Sequence, residues 1–387
     1  MRLRHPSGST VHLAYCTNVH PADDLAGVLD QLDRFAAPIR AELEVDVLGL
    51  GLWLAEPVAA ALAEDASVRR RLRRELQVRG LEVVTLNGFP YGAFHAPVVK
   101  HAVYRPDWTD PRRLRYTVEL VQILAEIMPD AAARGSVSTL PLGWRAPWRA
   151  DQADAAARQL AQLGQRLAAE HGRTGRMIRV GFEPEPGCVV ETTAQAVAAL
   201  ADVDHEYLGI CFDLAHVACA WEAPEEAVSR YAAAGLPIVK TQVSAALEVP
   251  DPHRTPDLVA GYVEPRFLHQ TRTASGAAFD DLPEALAAAP DGPWRVHFHV
   301  PLHAAPAPPL AATVPVVRAG LAALVGGDAV VCDHLEVETY TWTVLPPDLH
   351  PRDERGLVRG IAAELRFARA ELASLGLFDV SSPVEVA

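Results

Sequence analysis

Short runs of apolar and β-branched residues alternate along this chain with helix-like segments, and most of the runs stop on a residue able to bind a cation or exchange a proton. The runs at 11–16, 45–53, 81–86, 136–140, 177–183, 208–213 and 237–244 are separated by stretches long enough to cross back over a sheet. An antiparallel sheet needs only tight turns, so this alternation predicts parallel βα units. A parallel barrel presents its site through functional side chains at the carboxyl ends of strands that are otherwise core. The expected fold is therefore α/β, a (β/α)8 TIM barrel.

After the seventh run the simple alternation stops. Residues 245–328 hold two Pro-rich loops, a short helical piece near 282–289 and a further strand candidate at 295–300, and the last strand is expected over 329–338. Nine candidates compete for eight places, and we assign 295–300 to an insertion between strands 7 and 8. Helices are expected at 23–42, from Pro57, from the Asp110-Pro111 cap, at 151–171, from Thr193, from Pro224 and at 353–374. At 387 residues the chain reads as one domain, 1–387, elaborated at about 245–328.

A formal net charge of −14 argues against a nucleic-acid partner, because phosphate binding needs a basic footprint. The five cysteines form no C-x-x-C pair and read as reduced core residues. The N-terminal stretch lacks an apolar leader, and no apolar run is long enough to span a bilayer. These features predict a cytoplasmic protein without membrane insertion, whose partner is a small-molecule metabolite.

Asp213-Leu-Ala-His216 places an oxygen and a nitrogen donor around a tight turn at a strand end, where both could reach one cation. A turn-capping Asp with an unrelated His is the competing reading. In Glu183-Pro184-Glu185-Pro186-Gly187-Cys188 the prolines hold the chain extended, so that Glu183 and Glu185 project to one side. A carboxylate buried there requires a cation or hydrogen bonds. His334-Leu-Glu336-Val-Glu338 repeats the spacing of two on the last strand, and three ionisable groups on one interior face are hard to explain as packing. Lys240-Thr-Gln242-Val-Ser244 and Arg295-Val-His297-Phe-His299 alternate in the same way. Gln242 suits the orientation of hydroxyl groups, and either histidine suits a ligand, a proton carrier or a hydrogen-bonded structural role. The loop Asn87 to His95 is rich in glycine and aromatic residues, and with Tyr104, Trp108 and Trp144 it fits either an apolar wall over a ligand or a self-packed Ω-loop. Tyr15-Cys-Thr-Asn-Val-His20 falls at the end of the first strand, where Asn18 and His20 are expected to line the pocket.

The strand-end set of Glu183, Asp213-x-x-His216, Gln242 and Glu336 resembles the xylose isomerase-like (sugar phosphate isomerase/epimerase) TIM barrel superfamily. Within it, the strings YCTNVHP, NGFPYGAFH, VYRPDW, EPEPGC, HFHVP and HLEVETYTW resemble the EboE family of metabolite traffic proteins. The superfamily resemblance implies a divalent cation on Glu183, Asp213, Gln242 and Glu336, with His216 lining the site. A His is commoner where Gln242 stands, so His269, His297 or His299 would supply the missing nitrogen. His299 is the ligand we add, and Glu185, His216, Lys240, His297, Glu338, Asn87, His95 and His269 are candidate substrate contacts. The EboE resemblance implies a role in making or distributing a secondary metabolite.

Such a cation polarises the carbonyl of a hydroxy-ketone while carboxylates on opposite sides remove and return a proton, which makes Glu183 and Glu336 the candidate catalytic pair. Mixed carboxylate, imidazole and amide donors suit Mn, Zn, Co or Mg. The first expectation is thus a metal-dependent isomerase or epimerase of a sugar or cyclitol-like metabolite. A metal-dependent hydrolase of a small ester or phosphoester, and a non-catalytic metabolite-binding protein on the same barrel, are the alternatives.

Overall fold

Eight parallel strands close on themselves in the computed structural model, which describes residues 1–380. They are β1 (Thr10–Cys16), β2 (Leu48–Trp53), β3 (Leu81–Asn87), β4 (Arg134–Thr139), β5 (Met177–Phe182), β6 (Leu208–Asp213), β7 (Ile238–Val243) and β8 (His334–Val337). Each pairs with its successor, and β8 pairs with both β7 and β1. The barrel predicted from the alternation is the fold that forms. Every residue of β2, β3, β6 and β7 is buried, because the barrel interior covers one side and the helices cover the other, so the polar side chains of β3 and β7, such as Asn87, Lys240 and Gln242, are buried too.

The crossover helices form where the sequence supplies a start signal and an apolar stripe. Pro111–Ile127 begins on Asp110, whose side chain accepts from Arg112 N, and buries Tyr116, Leu120, Leu124 and Ile127 at helical spacing. The helix expected over 23–42 is instead Leu25–Gln31, a π-helical turn Leu32–Ala36, and Ala37–Glu42. Pro38 accounts for the break, since it donates no hydrogen bond and crowds the preceding turn.

Between β7 and β8 the chain leaves the barrel and builds a second, antiparallel sheet. Its strands run in the order Ala278–Phe279, Thr271–Thr273, Trp294–His299, Ala246–Val249 and Ala311–Ala312. The run at 295–300 is therefore a strand outside the barrel wall, as its assignment among nine candidates required. The last barrel strand is shorter than the expected 329–338. Val331 N bonds back to Leu324 O on the helix Val314–Val325, so the chain reaches the sheet only at His334. At the opposite end, Arg2–Arg4 pairs antiparallel with β1 and with Phe378–Asp379. Among the described residues no helix is long and apolar enough to cross a membrane.

Candidate metal centre and ligand pocket

The end of β6 turns directly into the short helix Leu214–Cys219, and Asp213 is its N-cap. Asp213 Oδ1 accepts from His216 N at 2.9 Å and from Ser244 Oγ at 2.9 Å. The capping reading of this aspartate is thus correct for one oxygen. Its Oδ2 is buried and has no hydrogen-bond partner. Capping also fixes the first helical turn, and this brings the His216 ring beside the same carboxylate.

Two further imidazoles arrive from the second sheet. His297 and His299 alternate on Trp294–His299 and so face the same way, toward the barrel mouth. His216 Nε2 lies 3.0 Å from His297 Nε2. The donor atoms of His216, His297 and His299 lie within 4.8 Å of one another, as do those of Glu183, Asp213 and His216. Burial holds all three rings neutral: it lowers His216 to about 3 and His299 to about 4, and pushes His297 well below its ordinary value.

His216, His297 and His299 line a cavity of about 550 Å³, its open mouth included. Glu183, Glu185 and Glu338 line it. Burial, then the nearby carboxylates of Glu338 and Asp213, raises Glu183 well above the usual carboxylate range, and its Oε2 has no partner. Burial likewise raises Asp213 and Glu338, and lifts Glu185 to about 8. Glu185 Oε1 accepts from Tyr104 Oη at 2.7 Å, and Glu338 Oε1 accepts from Asn18 Nδ2 at 2.7 Å and Asn87 Nδ2 at 3.2 Å. The remaining wall is largely apolar, from Phe89, Phe94, Phe267 and Tyr340.

Buried carboxylate and imidazole atoms without partners call for an explanation. Glu183 Oε2, Asp213 Oδ2 and His299 Nε2 are lone-pair donors, and no N–H or O–H reaches them. Glu183 and Asp213 with His216, and His299 with His216 and His297, each bring donor atoms within 4.8 Å of one another, which fits a divalent cation whose charge would also reverse the upward pressure on the acids. The donor set therefore suits such an ion.

Other predicted residues lie elsewhere. Glu336 is one layer below the pocket, where its Oε2 meets Lys240 Nζ at 2.8 Å, and Glu338, two residues nearer the mouth, takes the place on the wall. Gln242 stands in register between Asp213 and Glu336, fully buried with neither amide atom partnered. His95 packs beside Trp53 and Phe94, away from the cavity wall. His269 bonds His297 O through Nδ1 and Glu264 through Nε2, so it braces the strand beneath the histidines. Trp108 is core, tilted against Phe182, while Phe89 and Phe94 of the loop, together with Tyr104, do form the expected wall. Gln270, which joins His297 to Tyr104, carried no signal in the sequence. It sits in the all-polar run His269-Gln-Thr-Arg-Thr273, where nothing local sets it apart from its neighbours.

A family model described as xylose isomerase-like TIM barrel matches residues 41–295. Among solved structures, the chain is similar to a candidate sugar phosphate isomerase/epimerase from Anabaena variabilis, at 16% identity and a TM-score of 0.52, over 95% of this chain and 100% of that one. It is also similar to D-psicose 3-epimerase with D-tagatose from Clostridium cellulolyticum, at 12% identity and a TM-score of 0.50, over 93% and 99% of the two chains. D-allulose 3-epimerase from Methylomonas sp. shares 13% identity at a TM-score of 0.50, over 96% and 100%. No curated protein matches the chain by sequence.

Proposed function

The chain belongs to the xylose isomerase-like TIM barrel family, and from that premise we propose that it is a divalent-cation-dependent isomerase or epimerase of a neutral sugar-like or cyclitol-like metabolite. One observation carries this reading: Glu183 Oε2, Asp213 Oδ2 and His299 Nε2 are buried and unpartnered at the mouth of the barrel, beside a cavity of metabolite size. Glu183, Asp213 and His216 would hold the ion, with His299 beside them and Gln242 as a further oxygen donor. When bound, it would supply Lewis-acid polarisation of a substrate carbonyl.

Proton exchange falls to two carboxyl groups on the wall. Glu185 is held at Oε1 by Tyr104 and Glu338 at Oε1 by two asparagine amides, so each keeps a fixed orientation with Oε2 outside those bonds. Their raised pKa values suit groups that give and take a proton near neutral pH. Glu183 is better used on the ion than as a free base. Lys240 balances Glu336 below the site and Asn87 orients Glu338 within it.

The wall disfavours a phosphorylated substrate. Its one ammonium group, Lys100 Nζ, is engaged by Phe267 O at 2.6 Å and Asp281 Oδ2 at 2.5 Å, while three glutamates face the cavity. The aromatic side supports a substrate with one apolar face. The three sugar isomerase/epimerase-type structures named above share the barrel, and the EboE resemblance would place the reaction in secondary-metabolite biosynthesis or traffic. The imidazole-rich donor set also supports a second reading, hydrolysis of a small ester.

The test is solvent deuterium exchange. The protein, loaded in turn with Mg, Mn, Co or Zn, is incubated in deuterated water with a panel of neutral α-hydroxy-ketones, aldoses and inososes. Deuterium should enter the carbon next to the carbonyl of at least one compound, and Glu338→Gln should abolish the exchange. A panel without exchange, alongside turnover of simple esters, would move the assignment to the hydrolase.

A further inference from the structure

Resting on the cation site just described, we propose that His216, His297 and His299 form a three-nitrogen centre that selects a late first-row ion of the zinc class over magnesium. The argument starts from which nitrogen of each ring carries its proton. His216 Nδ1 lies 2.8 Å from Pro184 O, and His299 Nδ1 lies 2.8 Å from Glu338 O. A backbone carbonyl only accepts, so both Nδ1 atoms are donors and both Nε2 atoms carry a lone pair.

His297 is fixed by a longer chain. Its Nδ1 lies 2.8 Å from Gln270 Oε1, Gln270 Nε2 donates to Tyr104 Oη at 2.8 Å, and Tyr104 donates to Glu185 Oε1 at 2.7 Å. Tyr104 Oη donates to Glu185 Oε1 and so accepts from the Gln270 amide nitrogen, which leaves the Gln270 amide oxygen facing His297. His297 Nε2 is therefore a lone pair as well.

The three lone pairs converge. His216 Nε2 and His297 Nε2 stand 3.0 Å apart, and His299 Nε2 is buried with no partner. Two facing lone pairs at this distance repel, and an ion between them turns the repulsion into ligation. Each ring also has an oxygen acceptor behind it on Nδ1, the arrangement that orients a metal-ligating histidine and raises its basicity. Three imidazole nitrogens suit zinc, cobalt or iron, whereas magnesium takes oxygen ligands and keeps its waters.

The geometry is built jointly by the two sheets. His216 comes from the turn after β6, and the other two come from Trp294–His299, so the antiparallel sheet supplies two of the three nitrogens. Gln270, on the same sheet side, is a positioning residue for His297.

The test is X-ray absorption of the full-length chain, stripped with a chelator and reloaded with Zn. Three imidazole scatterers per zinc are expected, and zinc should be retained against about a thousandfold excess of Mg. His297→Gln and His299→Gln should each weaken Zn binding by about tenfold or more, and Gln270→Leu by about tenfold. One imidazole or none in the wild-type spectrum, or equal retention of Mg and Zn, would overturn the centre. These outcomes separate from those of the activity assay. A single imidazole with deuterium exchange intact removes the three-nitrogen centre and leaves the isomerase, and three imidazoles without exchange do the reverse.

Discussion

Lys240 Nζ stands 2.8 Å from Glu336 Oε2 in the barrel interior, and neither side chain is exposed. Lys240 Nζ also reaches toward Leu86 O and Ser138 Oγ, at 3.5 Å each. Removing one member of such a pair strands the other charge without water. Lys240→Met should cost about 3–5 kcal/mol in urea unfolding, and Lys240→Met with Glu336→Leu should recover most of that loss. A single variant within about 1 kcal/mol of wild type would show that the pair is solvated or unformed.

Room for Glu336 comes from Gly51 on the neighbouring side of the barrel. A Cβ at position 51 would fall 1.8 Å from Glu336 Oε2. Gly51→Ala therefore forces the carboxylate off Lys240, and the expected cost is about 3 kcal/mol or more, from overpacking and the broken pair together. In a double-mutant cycle, Gly51→Ala should be much better tolerated on a Glu336→Ala background. Additive losses would place the collision elsewhere.

Glu338 is poised by its two amides. Asn18 Nδ2, at 2.7 Å, favours the charged carboxylate and offsets part of the upward pressure from burial. Asn18→Val should therefore raise the Glu338 pKa further, and the limb on which the exchange rate rises with pH, set by Glu338 losing its proton to act as the base, should move to higher pH. An unmoved limb in a folded Asn18→Val protein would assign that limb to another group.

The barrel was legible because its strands are short, apolar and regularly spaced, and Glu183, Asp213 and His216 were legible because each sits at a strand end. Glu336 and Glu338 were harder to rank. Both point inward at spacing two, and only the depth of the ion pair with Lys240 puts Glu338 rather than Glu336 on the wall. Local pattern carries no depth. His297 and His299 could be placed on a strand but not opposite His216, because that juxtaposition depends on how the second sheet packs against the helix Leu214–Cys219. His95 and Gln270 mark the two kinds of error: a histidine in a conspicuous loop that packs against Trp53, and a glutamine in an unremarkable one that orients His297.

Glu364 gives the fold a pH dependence that its neighbours make measurable. It lies on the helix Glu354–Ser374, 1% exposed, and its Oε1 accepts from Thr339 Oγ1 at 2.7 Å and Leu302 N at 3.0 Å. Burial lifts its pKa from 4.5 to about 7, more than these bonds and one to Trp342 lower it. A raised pKa means that the folded state binds the proton more tightly than the unfolded state. The group's contribution is therefore fully present below about 4.5, falls as pH rises toward 7, and is lost above it. Glu364→Gln keeps an amide oxygen for the same two donors and removes the titration. In urea unfolding at a series of pH values, the wild type should lose on the order of 3 kcal/mol relative to the variant between pH 5 and 8. The variant should be the more stable protein at pH 8. A difference that stays constant across this range would mean that Glu364 ionises in the folded state as readily as in the unfolded one.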